Sequence, residues 1–541
     1  MMQRPKLDDP RHYLNRHVEW LEFNRRVLEE ARDIGNPLLE RVKFLAITAN
    51  NLDEFVEIRV SSFLQRIEHG SREISPDGLT TEEELEKVSA AMQVFVRDQY
   101  KCWNDELLPA LAKESIRVLN TGELDAKAAR FTKTFYDRRV SPMLTPVTVD
   151  PSHPFPHVLN KALCIAFLLR RRRGGNGKPY FGVLTVPRAL PRLLRIPTEN
   201  GGIRFAPLHD IISAYASRLY RGYEILASTA FRITRNSNLY LEQEESRSLL
   251  ETIDSQVSQR RKGDAVRLEV EKDCPADLRN ALLGTLKLTE EDLYVIDGPL
   301  NPTRLMAVYE GDHSPELRDP PFVAPTAAAL REHHDLFAAI RERDVLLHHP
   351  YETFDSVVRF LEQAASDPRV LAIKQTLYRT GGDSRIVGAL MNAVQNGKQV
   401  TAVVELRARF DEANNIQWAR QLEEAGVHVV YGLVGYKIHA KMCLVVRRDE
   451  DRIRRYVHLA TGNYNPQTAR IYTDLGFFTC NADFCEDASA LFNYLTGYCE
   501  LPQWRKLVVA PSRLQAFMIE KIGRETALQQ AGKTGRIIAK I

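Results

Sequence analysis

Apolar residues recur at three- and four-residue steps through NPLLERVKFLAITANNLDEFVEIRVSSFLQRI, residues 36–67. That is the period of an amphipathic helix, and it predicts a helical segment over 12–117. Within it, TANNLDEF breaks the apolar pattern with two Asn and an Asp. The break reads either as a helix end with an N-cap, a place those residues favour, or as a polar cluster facing a ligand. The pattern becomes mixed over 118–320. KALCIAFLLR and YFGVLTVP predict strands, and the basic run RRRGGNGKP between them predicts a solvated turn. PSHPFPHVLN is held extended or turned by its prolines. Over 321–506 strand and helix alternate. RVLAIKQTLY, QVTAVVEL and VHVVYG read as strands, and SRIVGALMNAVQNG and EANNIQWARQLEEAG as helices closed by Gly397 and Gly426. This alternation predicts a mostly parallel sheet with helices on its faces. The last segment, 507–541, predicts a helix, SRLQAFMIEKIGRETALQQAG, followed by a first strand in GRIIAKI.

The heptapeptide YKIHAKM, 436–442, carries the most pointed chemistry. As a strand it places Ile438, Ala440 and Met442 on one face and His439 beside Lys441 on the other. The plain alternative is an edge strand with two polar groups in water. Arg379 follows one predicted strand, and Arg407 and Arg409 follow another. Residues just past strand ends gather at the edge where open α/β sheets bind ligands. Arg is the better bidentate partner of phosphate oxygens, so this edge predicts a phosphate site. Dedicated nucleotide loops do not supply it. AGKTG at 531–535 has Ala527 where a P-loop needs glycine, and no G-x-G-x-x-G follows a strand. A neutral imidazole among cations suits nucleophilic attack on a phosphoryl group. The same residues also suit a phosphodiesterase that works through a phosphohistidine.

Composition narrows the setting. The chain has 541 residues, 44% hydrophobic and 27% charged, with a formal charge of +3. That is an ordinary globular balance, with no demand for nucleic acid or a membrane surface. The seven cysteines include no C-x2-C pair, which fits reduced thiols in the cytoplasm. The polar start MMQRPKLDDPRHYLNRH lacks a signal-peptide core, and no apolar run is long enough to span a bilayer.

NPLLERVKFLAITANNLDEF, LLHHPYETF, IKQTLYRT, VVELRARFDEANNIQWARQLEEAGVHVVYG, YKIHAKM and ATGNYNPQTARIYTDLGFFT occur here in this order. Together they resemble the long, ATP-dependent bacterial polyphosphate kinases of the type-1 class, from about Asn15 to the C-terminus. The resemblance implies an α/β multidomain chain. It would have a helical N-terminal domain (12–117), a mixed α+β middle or head domain (118–320), a phospholipase D-like α/β core half (321–506) and the start of a second (507–541). It implies reversible transfer of the ATP γ-phosphoryl group to inorganic polyphosphate through a phosphohistidine. His439 matches the phosphorylated histidine, and Lys441 would neutralise charge beside it. Asn51 and Tyr472 match ATP-contacting residues, the tyrosine beside the adenine or ribose. Arg379 and Arg409 match residues at the phosphates and a Mg2+ ion. Because arginine has no lone pair to offer a metal, they are read as phosphate clamps. His458 matches a second histidine of the family and ranks below His439. Homo-oligomers, dimers or higher, in the cytoplasm and at times loosely attached to the inner membrane, complete the expectation.

Three departures accompany the resemblance. The usual opening N-R-E-L-S-W-L-x-F-N is NRHVEWLEFN here, which touches packing or a dimer surface more than chemistry. Position 446 is Val where a phospholipase D motif has Asp, which argues against a lipase or nuclease. The family's second core half, with a further arginine and a second H-x-K histidine, lies beyond Ile541. The alternative is therefore a catalytically silent homologue that binds nucleotide or polyphosphate and needs that half.

Overall fold

The computed structural model describes residues 9–149, 155–172, 179–198, 201–237, 250, 253, 263–311, 314–381, 384–433, 435–497 and 503–539. The tip of the basic turn expected at 171–179 and the first residues of PSHPFPHVLN lie outside them. The described residues fall into two units. One comprises those of Met1–Tyr240 and Ser258–Pro321, the other those of Leu241–Val257 and Phe322–Ile541.

In the first unit, the helix Arg16–Arg32 starts where the Asn15 side chain accepts hydrogen bonds from the backbone N–H groups of His17 and Val18. His17, one of the departures from the family opening, is buried and meets the Phe63 ring edge-on at 4.9 Å. The helix Leu38–Phe55 runs straight through TANNLDEF and continues by a π turn, Val56–Val60, into Ser61–Glu68. The expected N-cap is therefore absent, because partners on other elements satisfy this polar face. Asn24 Nδ2 donates to the Thr48 carbonyl, Gln99 Nε2 donates to Thr48 Oγ1, and Asp53 takes the guanidinium groups of Arg232 and Arg267. A six-stranded sheet follows. Its strands Leu163–Arg171 and Tyr180–Thr185 pair antiparallel, as KALCIAFLLR and YFGVLTVP predict. One apolar core runs from Leu21 and Leu39 on the helices to Leu163, Ile165 and Leu305.

The second unit is built on a seven-stranded sheet. In chain order its strands are β1 (Val345–His349), β2 (Val370–Leu377), β3 (Gln399–Val404), β4 (His428–Val430), β5 (Lys441–Arg448), β6 (Ile453–Ala460) and β7 (Asp474–Thr479). Their order across the sheet is β1-β7-β6-β5-β2-β3-β4. Only β2–β3 and β3–β4 are parallel. The other pairings are antiparallel, which corrects the mostly parallel sheet expected. The reason lies in the connections. Helices Arg385–Gln395 and Glu412–Glu424 supply the crossovers that parallel neighbours need, whereas β5 and β6 are joined by a tight turn that permits only a hairpin. Gly397 and Gly426 follow the two helices at φ +75° and +91°, the left-handed conformation that ends a helix at low cost to glycine. The helix Leu514–Gln530 forms as expected, but residues 535–539 form no strand. No described neighbour is there to pair with them, and an isolated strand leaves its backbone groups unsatisfied.

Candidate active site

The register of the sheet decides what meets at its edge. Leu377 ends β2 in the row where Lys441 starts β5, because Gln375 faces Cys443. Lys441 pairs with Ala460 at the end of β6, and Ala460 with Gly476 near the start of β7. The ends of β2, β3 and β6 and the starts of β5 and β7 thus share one edge. Tyr378, Arg379, Glu405, Lys441 and Asp474 are delivered there by backbone pairing alone. The antiparallel strands serve this edge with their starts, so convergence does not require a parallel sheet.

The stretch 437–440 belongs to no strand, and β5 begins only at Lys441. Strict alternation therefore stops short of His439. Ile438, Lys441 and Met442 are buried, while His439 and Ala440 are exposed. Side chains take over the positioning of this segment. The buried Glu405 carboxylate accepts the Ile438 N–H at 2.6 Å and the Arg407 N–H at 2.9 Å. The Arg407 guanidinium donates to the Tyr436 carbonyl, and Lys437 Nζ to the Arg407 carbonyl at 3.0 Å. Thr376 Oγ1 donates to the Ala440 carbonyl at 2.8 Å and accepts from the Met442 N–H at 2.9 Å. Both backbone flanks of His439 are thereby tied to the ends of β2 and β3.

His439 and Lys441 still meet, on a shared aromatic ring. The His439 imidazole stands edge-to-face with Tyr378 at 4.8 Å between centroids. Lys441 Nζ lies 5.0 Å from that ring's centre and the Arg379 guanidinium carbon 5.8 Å, both within cation–π range. Arg379 also donates to the Arg409 carbonyl at 3.1 Å and pairs with Asp411 at 3.4 Å. His439 is exposed as a residue, but partial desolvation of its ring, then the charges of Lys441 and Arg379, hold its pKa below the ordinary value of 6.5. The imidazole is therefore neutral near pH 7, with a nitrogen lone pair available. Burial pulls Lys441 down to about 8, Asp474 opposing and Arg379 reinforcing the shift. A neutral nucleophile beside cations that lack full compensation is what an incoming phosphate needs.

Comparison with known proteins shows the family. Residues 13–119, 127–308 and 335–501 match the models of the polyphosphate kinase N-terminal domain, middle domain and C-terminal domain 1. The polyphosphate kinase of Mycolicibacterium gilvum is 45% identical over 535 residues, covering 98% of this chain and 73% of the relative. That of Pseudomonas aeruginosa is 42% identical over 537 residues, covering 99% and 78%. The chain belongs to the polyphosphate kinase family. A crystal structure of polyphosphate kinase from Porphyromonas gingivalis superposes with a TM-score of 0.80 at 27% identity, covering 96% of this chain and 75% of that one. Polyphosphate kinases are transferases that use ATP, so the edge described above belongs to a phosphoryl-transfer enzyme.

The other residues singled out from the sequence fall in different settings. Tyr472 is exposed, two residues ahead of the start of β7, with its N–H bonded to the Thr468 carbonyl at 2.9 Å. It therefore flanks the same sheet edge. His458 is fully buried within β6, its Nδ1 2.8 Å from the Tyr464 hydroxyl and its ring 4.6 Å from Phe478. Burial and the neighbouring His349 push its pKa down to about 3. Asn51 belongs to the first unit, where its Nδ2 donates to Asn24 Oδ1 at 3.1 Å. Sequence reasoning missed Tyr378, Glu405 and Thr376. Tyr378 read as the last apolar residue of a strand. Glu405 carried one signal, a lone acid inside the mostly apolar run QVTAVVEL.

Proposed function

We propose that this chain transfers the γ-phosphoryl group of ATP reversibly to inorganic polyphosphate through a phosphohistidine at His439. An imidazole nitrogen of neutral His439 attacks the γ-phosphorus, the bond to the β–γ bridging oxygen breaks, and ADP leaves with that electron pair. A terminal oxygen of polyphosphate then attacks the phosphohistidine, the P–N bond breaks, and the neutral imidazole returns. One phosphoanhydride is broken and one is made, so the net reaction is close to balanced and runs both ways. Lys441, Arg379 and Arg409 stabilise charge on the transferring oxygens. Tyr472, which flanks this edge, contacts the nucleotide. Among the described residues no group of three His, Cys, Asp or Glu donors gathers at this edge. That fits Mg2+ carried in on phosphate oxygens and water rather than in a protein cage. Arg379 and Arg409 would grip the phosphates of that complex.

The observation that carries this reading is the placement of His439 with Lys441 and Arg379 around the ring of Tyr378. The test is polyphosphate formation and ADP release from Mg-ATP by wild type, His439→Ala and Arg379→Gln. We expect no product from His439→Ala, and a loss of about 10²–10³ in kcat from Arg379→Gln. ATP binding by wild type without any transfer would instead favour a silent binding homologue. The same reading includes a homo-oligomer and loose attachment to the inner membrane. Among the described residues no helix is long and apolar enough to cross a membrane, so attachment would be peripheral.

A further inference from the structure

A second chemical cluster lies in the first unit, on elements unrelated to the sheet edge. The helix Leu208–Tyr215 carries His209 and Asp210 in its first turn, and the strand Ala265–Glu271 ends on Glu271. His209 Nε2 is 3.3 Å from Asp210 Oδ1 and 3.1 Å from Glu271 Oε1. One donor atom from each of the three residues lies within 4.8 Å of the others. Donors bound about 2.1 Å from one ion stand about 3.0–3.4 Å apart at octahedral or tetrahedral angles. Both measured separations fall in that interval.

Two features show that the donors are aimed. Glu271 Oε2 accepts the Ala230 N–H at 2.6 Å, so the carboxylate is fixed with Oε1 turned to His209. Hydrogen bonds of this kind commonly orient metal-binding carboxylates. The cluster also opens onto a cleft of about 460 Å³, which leaves room for water or a further ligand. That cleft is lined as well by Glu123, Asp273 and Asp297, with Lys272 the opposing cation. Its field therefore attracts positive charge.

An imidazolium alone would also bridge the two acids. It supplies one positive charge to two carboxylates, however, whose oxygens stand 3.3 and 3.1 Å from the one nitrogen. A dication neutralises both carboxylates and takes the imidazole in its neutral form. We propose that His209, Asp210 and Glu271 form a binding site for a divalent metal of the zinc class, distinct from the phosphoryl-transfer edge. One nitrogen and two carboxylate oxygens suit Zn2+, Mn2+ or Co2+ better than Ca2+, which takes oxygen donors alone.

The test is calorimetric titration of the metal-free full chain with Zn2+, paired with the visible spectrum on adding Co2+. Wild type is expected to bind one equivalent that disappears, or weakens by at least about tenfold, in both His209→Ala and Glu271→Gln. Glu271→Gln preserves shape, so it carries the test if His209→Ala fails to fold, and circular dichroism checks both. Binding that persists unchanged in the folded variants would overturn the proposal. So would the absence of a stoichiometric site in wild type, which would leave the three residues as an ion pair. The readout is independent of phosphoryl transfer, so it stands apart from any failure of the phosphohistidine reading.

Discussion

At His439 two opposing demands are met within a few ångströms. As the proposed nucleophile it must keep its lone pair, yet the group to be attacked carries several negative charges. Partial desolvation and the cations Lys441 and Arg379 hold the imidazole neutral, and the cations stay charged to face the phosphate. The sign of the pH dependence follows. Activity falls on the acid side, as His439 takes a proton at a pKa below 6.5, and again on the alkaline side, as Lys441 loses its charge near 8. A profile of kcat/KM against pH checks this, and Lys441→Arg is expected to move only the alkaline limb upward. Tyr378 offers its ring face to the cations, so Tyr378→Phe should stay near wild type. Tyr378→Leu should lose about 0.5–2 kcal/mol of cation–π stabilisation, roughly twofold to thirtyfold in rate. Glu405→Ala frees the Ile438 and Arg407 N–H groups and lets the nucleophile drift. Misplacement of that kind costs about a hundredfold, and it should appear in kcat more than in ATP binding.

Among the elements, hydrophobic period made most of the second unit readable. The helices closing at Gly397 and Gly426 and the strands VLAIKQTL and QVTAVV stand where their patterns put them. Reading failed where long-range polar contacts decide conformation. In 437–440 alternation suggests a strand, but the backbone is bound by Glu405, Arg407 and Thr376 instead of a neighbouring strand. In TANNLDEF the polar residues suggest a helix end, yet their partners come from elements as distant in sequence as Arg232 and Arg267. The positions of His439, Lys441, Arg379, Arg409 and Tyr472 along one edge were legible through strand ends and the family resemblance. Tyr378 and Glu405 were not, because a ring or carboxylate at a strand end shows its use only once the neighbouring strand is in place. Gly476 on β7 gives an element-scale prediction. A Cβ there would lie 3.0 Å from His458 Nε2 and 3.3 Å from His349 Nε2, both on buried rings. Gly476→Ala should destabilise the second unit by about 1–3 kcal/mol, measured as a lower urea midpoint.

Over the whole chain, buried charge ties stability to pH. Asp53, Arg232, Arg267 and Glu269 form a buried ionic cluster in the first unit. Burial pushes Asp53 up, but Arg232 and Arg267 outweigh it and hold the carboxyl at about 2. Asp53→Ala leaves two buried guanidinium groups short of a partner and should cost about 3–5 kcal/mol in denaturant unfolding. Two buried histidines act in the same direction. His458, at about 3, and His17, at about 4, have folded pKa values below the 6.5 of the free side chain. The unfolded chain therefore binds protons that the folded chain refuses, so stability is lost as pH falls below 6.5 toward those values. Each such histidine steepens that loss by about 1.4 kcal/mol per pH unit. Replacing His458 by Phe should flatten the curve by one proton.

The most direct test of the phosphohistidine account is to incubate the purified 541-residue chain with ATP labelled in the γ-phosphate and to map the protein-bound label. The account predicts acid-labile, alkali-stable label on wild type, located at His439, and none on His439→Ala. Wild type without label, or equal label on folded His439→Ala, would contradict it.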